Sequence, residues 1–277
     1  MMATNYSTLQ PIEVAPSPTG LRIRLGILDM ATLTRRELLI WFRNPAFIFF
    51  TFIQPVMFVL LFRYVFGGAI PVKIPGGYVN FLMPGIIAQS AAFATFGTAI
   101  ALARQLQKGV IDRFRAMPIA RSAVLLGRLI ADTARLAITV LVILGVGYAV
   151  GFRFQNGVVP ALLMVILGVA LGVTISAISA YVGLALKDEE SVGSFGLVWL
   201  FPLTFVSAAF VPVSSMPGWL QGFAAHQPVS LVIDAARSLM LGGTYHSTSA
   251  ELEALAWCAG LLAVLVPLGV WRYRRTA

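Results

Sequence analysis

An all-α integral membrane fold with six transmembrane helices is what this sequence predicts, and three observations predict it. Hydrophobic residues make up 58% of the 277 residues and charged residues 11%, against about 25% charged in a soluble domain; mean hydropathy is +0.87. A soluble core has too little interior to hide that much apolar surface, so lipid must solvate much of it. The charges also divide the chain into six long uncharged runs, 44–62, 74–103, 136–152, 154–186, 191–233 and 254–271, on the scale of the ~20 residues that cross a bilayer core. Finally, the cations fall on one side of those runs.

In chain order, residues 1–26 read as a disordered tail, with Pro11, Pro16 and Pro18 among small polar residues. Residues 27–43 read as an amphipathic interfacial helix. Asp29, Thr32, Arg35, Arg36 and Arg43 share one arc at 100° per residue, and Ile27, Met30, Leu33, Leu38, Ile40, Trp41 and Phe42 share the other, with Glu37 and Leu39 as exceptions. Asn44-Pro45 ends that helix and opens the six-span domain, 44–272. No cleavable leader is visible, so the first span serves as an uncleaved anchor. Spans two and three are joined by a long link, 104–133, which Pro118 divides into two short helices. The 191–233 run is too long for one helix. Pro212, Pro217, Gly218, Gly222 and Pro228 interrupt it, which gives a fifth span over 193–211 and an extracellular re-entrant segment over 212–241. Residues 273–277 form a short tail. Gly147 with Gly151, and Gly168 with Gly172, are small-residue pairs suited to close helix packing.

Orientation follows from the cations. With both ends in the cytoplasm, only Arg63, Lys73, Arg153 and Arg237 of the 20 Lys+Arg lie outside, as the positive-inside rule requires. The +9 formal charge is thereby explained by topology, and no nucleic-acid partner is needed. The localisation that follows is the cytoplasmic (inner) membrane. The single cysteine, Cys258, excludes an internal disulfide, and with only His226 and His246 beside it no zinc site is expected.

Two stretches carry a functional signal. The link contains Gly109-Val-Ile-Asp112-Arg113-Phe114-Arg115-Ala-Met-Pro118, and the outer segment contains Met216-Pro217-Gly-Trp219-Leu followed by His226-Gln-Pro228. Together, in this order between six spans, they resemble the membrane subunit of ABC type-2 exporters, in the daunorubicin/doxorubicin-resistance permease branch, over about residues 30–272. The resemblance implies that Gly109, Asp112, Arg113, Phe114, Arg115 and Pro118 belong to a coupling helix that contacts an ATPase subunit. It implies that 27–43 is the family's connecting helix. It also implies that the segment with Pro212, Pro217, Trp219, His226 and Pro228 caps the translocation path. Acidic residues often precede the glycine in the family; this chain has Gln105, Leu106, Gln107 and Lys108. Phe195, Trp199, Phe205 and Phe210 are candidates to line an apolar substrate path, or equally to face lipid and core.

No Gly-x-x-x-x-Gly-Lys-Ser/Thr occurs, so this chain lacks a phosphate cradle and is expected to hydrolyse no ATP itself. ATP and Mg2+ belong to two separate ATPase subunits, and a second permease subunit, identical or homologous, completes the pathway that the resemblance implies. The expected function is outward movement of hydrophobic or amphipathic compounds, as in drug efflux. Export of lipids, polyketides or glycan-lipids by the same machinery is the alternative. Ion-coupled transport is disfavoured because no carboxylate lies in the six runs, with Asp132 and Asp234 placed near span ends as local partners of Arg135 and Arg237. A membrane-embedded enzyme is disfavoured because His226 has no nucleophile and carboxylate beside it in sequence, and Ser214 and Ser215 read as turn residues.

Overall fold

The computed structural model describes residues 19–70, 72, 74–117, 121–243 and 246–275, and these form helices and turns with no strand among them. The expected tail over 1–18, Lys73 and Pro118 lie outside the described residues. Helix α1 runs Thr19–Phe42, so residues 19–26 are helical and do not belong to a disordered tail. No proline stands between Pro18 and Pro45, and helix propagation is favourable once nucleated. Helix α2 (Pro45–Leu61) begins where Asn44 caps it, its side chain accepting the Phe47 N–H at 3.1 Å with Pro45 in the first turn. It continues through a π-helical turn, Phe62–Phe66. Helix α3 (Gly77–Gln107) is followed by the short α4 (Val110–Ala116), α5 (Arg121–Ala149), α6 (Val158–Leu186) and α7 (Glu189–Phe205). After an irregular stretch come α8 (Gly218–His226), α9 (Pro228–Leu241) and α10 (Thr248–Arg275).

Among the described residues, five segments are long and apolar enough to cross a membrane: Pro45–Phe66, Gly77–Gln107, Ser122–Ala149, Val158–Leu186 and Thr248–Tyr273. One of them, and the short α7 that is not among them, correct the sequence reading. The third crossing starts near 122 rather than 136, because the second half of the expected link is not a separate short helix but the opening turns of α5. No proline lies between Pro118 and Pro160 to stop it. The expected fifth span, 193–211, is instead α7, 17 residues ending at Phe205; Pro202 lies in its last turn, and the chain leaves helical geometry at Val206 (ψ 59°).

Helix α3 is the axis of the bundle, buried along most of its length and packed against α5, α6, α7 and α9. Close approach depends on glycine. A Cβ at Gly183 would overlap the Ala99 carbonyl, one at Gly85 the backbone of Ala209, and one at Gly172 would meet Leu136 and Ala91. Gly168 likewise faces Ile87, so the Gly168/Gly172 pair lies at a real helix contact. Of the other pair, Gly147 abuts Met83, whereas Gly151 has open space and sits in a turn at φ +103°.

One end of the bundle gathers α1, α4 and the C-terminal end of α10. Ile111 of α4 packs with Leu102, Leu125, Ala180, Leu184 and Tyr273. The Thr34 hydroxyl of α1 donates to the Gly127 carbonyl of α5 at 3.0 Å. At the opposite end Asn80 Nδ2 donates to the Pro75 carbonyl at 2.9 Å and Asn156 Nδ2 to the Leu239 carbonyl at 3.2 Å, tying the loops there.

Candidate functional site

The turn between α3 and α4 is built on Gly109, whose φ of +63° is left-handed and suits a residue without Cβ. Past it, α4 is braced from two sides. Ile111 is 1% exposed in the cluster of helix ends, and the Arg36 guanidinium of α1 lies 5.3 Å from the Phe114 ring centroid. Arg113 points into solvent. The side chains of Asp112 and Arg115 are outside the described residues, as is Pro118. The result is a short helix held rigidly at one end of the bundle with Arg113 on its free face.

That end also carries a latch. Arg104 donates to both carboxylate oxygens of Glu189, the Nε contact being 2.9 Å, and Gln107 Nε2 donates to Asp188 at 2.9 Å. Of the four residues before Gly109, Gln107 thus meets an acid at the start of α7. Asp188 caps α7 by accepting the Ser191 N–H at 2.7 Å, which holds its carboxyl below the usual carboxylate range.

At the far end, the irregular backbone after α7 is satisfied by protein rather than left bare. Tyr78 Oη donates to the Phe210 carbonyl at 3.1 Å, and Gln227 Nε2 donates to the Leu203 and Val206 carbonyls at 2.9 and 3.1 Å. The Ala208 N–H donates to Ser230 Oγ at 2.9 Å. Arg237 donates to the Phe81 carbonyl (3.1 Å from Nε) and to the Ala208 carbonyl, pairs with Asp234 at 3.1 Å, and lies over the Phe81 ring at 3.7 Å. Non-helical backbone within a membrane protein is tolerated only when so enclosed. Arg237, expected on the outer side within the 212–241 segment, is thus a half-buried clamp. Pro212 precedes the 3-10 turn Val213–Ser215, Pro217 precedes α8, and Pro228 opens α9. Trp219 is 82% exposed. His226 is exposed, its Nδ1 2.9 Å from the Gly222 carbonyl, and Ser215 Oγ donates to the Pro212 carbonyl at 2.7 Å. These are capping and turn contacts, with no nucleophile set among them.

Inside the bundle, α5 carries charges that the sequence reading left in the link or near a span end. Asp132 is 2% exposed. It accepts from the hydroxyls of Thr98 on α3, at 2.7 Å, and Ser176 on α6, and it pairs with Arg135. The expected local pair is present, but deep in the helix packing. A carboxylate engaged by two hydroxyls and a guanidinium is arranged as a structural tie rather than an open ion site.

A family model for the ABC-2 type transporter matches residues 29–241. This chain belongs to the ABC-2 type transporter family. It is 32% identical to a probable doxorubicin resistance ABC transporter permease protein, DrrC, of Mycobacterium tuberculosis over 275 residues, 98% of either chain. It is also 32% identical to the daunorubicin resistance ABC transporter permease protein DrrB1 of Streptomyces coeruleorubidus, covering 88% of this chain and 86% of that one. A putative transport permease, ycf38, of Pyropia yezoensis is 28% identical over 85% of this chain and 82% of its own.

In this ABC-2 permease the aromatic candidates separate. Phe205 and Phe210 belong to a ladder of rings, Phe93–Phe201–Phe205–Phe210–Phe62–Phe66, with successive centroids 4.5–5.4 Å apart. It joins α3, α7 and the end of α2. Phe195 is half exposed away from the ladder, and Trp199 packs on the core. Sequence reasoning missed Tyr78, Thr98, Ser230 and the structural part of Arg237, and held Gln227 only as a letter of the His226-Gln-Pro228 motif. For the first four the signal available was only that each is a polar residue within or beside an apolar run.

Proposed function

We propose that this chain is the permease subunit of an ATP-driven exporter for hydrophobic or amphipathic compounds. Two separate ATPase subunits would carry ATP and Mg2+, and a second permease, identical or homologous, would complete the pathway. The observation that carries this reading is the braced α4 with its solvent-facing Arg113, a rigid handle at the end of a bundle whose relatives are named as drug-resistance permeases. Closure of two ATPase subunits would move α4 and, through Arg104–Glu189 and Gln107–Asp188, the start of α7.

In this reading the end carrying α4 is cytoplasmic, in the inner membrane. Because α1 and the end of α10 share it, the crossings must be even in number. The five long segments are therefore completed by α7, with α8 and α9 as the re-entrant outer cap. Lipid, polyketide or glycan-lipid cargo would use the same parts.

A pull-down of the tagged protein from native membranes in mild detergent tests the reading. We expect a Walker-motif ATPase at equal stoichiometry, lost when Arg113→Glu is combined with Arg115→Glu while membrane insertion persists. Undiminished ATPase recovery with the double variant removes α4 as the handle. Transport by this chain alone on an ion gradient would replace the ATP-driven reading with a secondary transporter.

A further inference from the structure

Between α1, α3 and α5, at the end that carries α4, lies a cavity of about 440 Å3, and it adjoins a second of about 270 Å3 that reaches α2. Two buried donors in the wall of the larger one have no acceptor among the described residues. Arg128, 4% exposed, leaves Nε and Nη1 without a hydrogen bond. The indole N–H of Trp41, 3% exposed, is likewise unmet. A buried polar group left unsatisfied costs about 1–3 kcal/mol, more when charged, so two on one cavity point to an acceptor supplied from outside the chain.

The charges say what sign that acceptor has. Arg135 is matched by Asp132 and Arg104 by Glu189. Glu37 is shared, bonded to Arg36 at 2.9 Å and standing 3.7 Å from Arg128, too far for a hydrogen bond. One guanidinium therefore lacks a carboxylate of its own in a desolvated place. Water would satisfy the donors but not the charge. The adjoining cavity has Gln54 and the Asp132–Arg135 pair in its wall, and Phe47, Phe50, Phe93 and Phe96 give the rest of it an apolar face suited to a hydrocarbon chain.

We propose that this paired cavity binds one anionic amphiphile, its phosphate or carboxylate head on Arg128 and Trp41 and its tail among the phenylalanines. The orientation proposed above enters only in assigning the site to the inner leaflet. Binding is read on the permease alone, so its failure is separate from failure of ATPase coupling.

The test is native mass spectrometry of the purified full chain offered equal amounts of phosphatidylglycerol and phosphatidylcholine. Wild type retains one phosphatidylglycerol in preference. Arg128→Gln weakens that binding at least about tenfold, and Trp41→Phe, which keeps the ring bulk and removes the N–H, about threefold or more. Arg35→Gln, an exposed position on α1, leaves it unchanged. Dodecyl phosphate competes for the site and inorganic phosphate does not. Equal retention of the two lipids, wild-type binding by both Arg128→Gln and Trp41→Phe, or equal competition by inorganic phosphate overturns the proposal. A resident lipid and an anionic cargo share this chemistry and both satisfy it. Leaflet exchange of labelled phosphatidylglycerol, measured in vesicles carrying the complex with its ATPase, tells the two apart.

Discussion

Asp132 is a charged residue only 2% exposed, and its three partners come from three helices: Thr98 on α3, Arg135 on α5 and Ser176 on α6. Removing one member of a buried pair costs more than the pair itself contributes, because the other charge is left uncompensated. Asp132→Ala should therefore lower stability by about 3–5 kcal/mol, read as a fall in the thermal unfolding temperature in detergent. A variant as stable as wild type would mean that the carboxylate is not a structural tie. Asp188 is the opposite case, an exposed cap at the start of α7. The Ser191 N–H holds its pKa below the ordinary carboxylate value, so the cap stabilises the fold above that ordinary value and is lost as pH falls through the lowered one. The stability gap between wild type and Asp188→Ala should stay flat from neutral pH down to about 4 and close below it. A gap that widens on acidification contradicts the assigned cap.

At the scale of elements, α3 and α6 approach closely because small residues face each other. Gly183 has no room for a Cβ against the Ala99 carbonyl, and backbone does not yield as a flexible side chain does. Gly183→Leu should cost roughly 1–3 kcal/mol or more through overpacking, whereas Gly260→Ala on α10, with nothing within 4 Å, should be neutral or gain up to about 1 kcal/mol from helix propensity. Equal melting temperatures for the two variants would contradict this packing. The same packing explains a misplaced boundary. Arg128, Asp132 and Arg135 made 121–135 look like loop, since isolated charges are costly in a membrane; with Asp132 and Arg135 paired to each other and Arg128 enclosed 3.7 Å from Glu37, they ride inside a continuous α5.

The whole molecule sorts its ends. The N-terminal helix, α4 and the end of α10 lie together, and the loops after α2, α5 and α9 lie opposite. Reporter fusions after Lys73 and after Arg153 should both score as external. Cytoplasmic signals at both would reverse the orientation, and signals of opposite sign would contradict the two crossings between them. The clamp of Arg237, Tyr78 and Gln227 on the broken chain after α7 belongs to this scale too, since it fastens the irregular stretch between α7 and α9 to α3.

Composition and charge spacing by themselves determined the class of molecule, and the two motifs its family. Apolar run length is summed over many residues, so no single error overturns it. The places of α1, α2 and the Asn44-Pro45 boundary were legible because proline and a capping side chain act locally. What only the tertiary structure decided was which charges are buried, where α5 begins and how the chain after Phe205 is held. Those depend on partners from helices far apart in sequence, Thr98 and Ser176 for Asp132, Phe81 and Ala208 for Arg237, and the free energy of a charge in a membrane is set by such partners rather than by its neighbours along the chain.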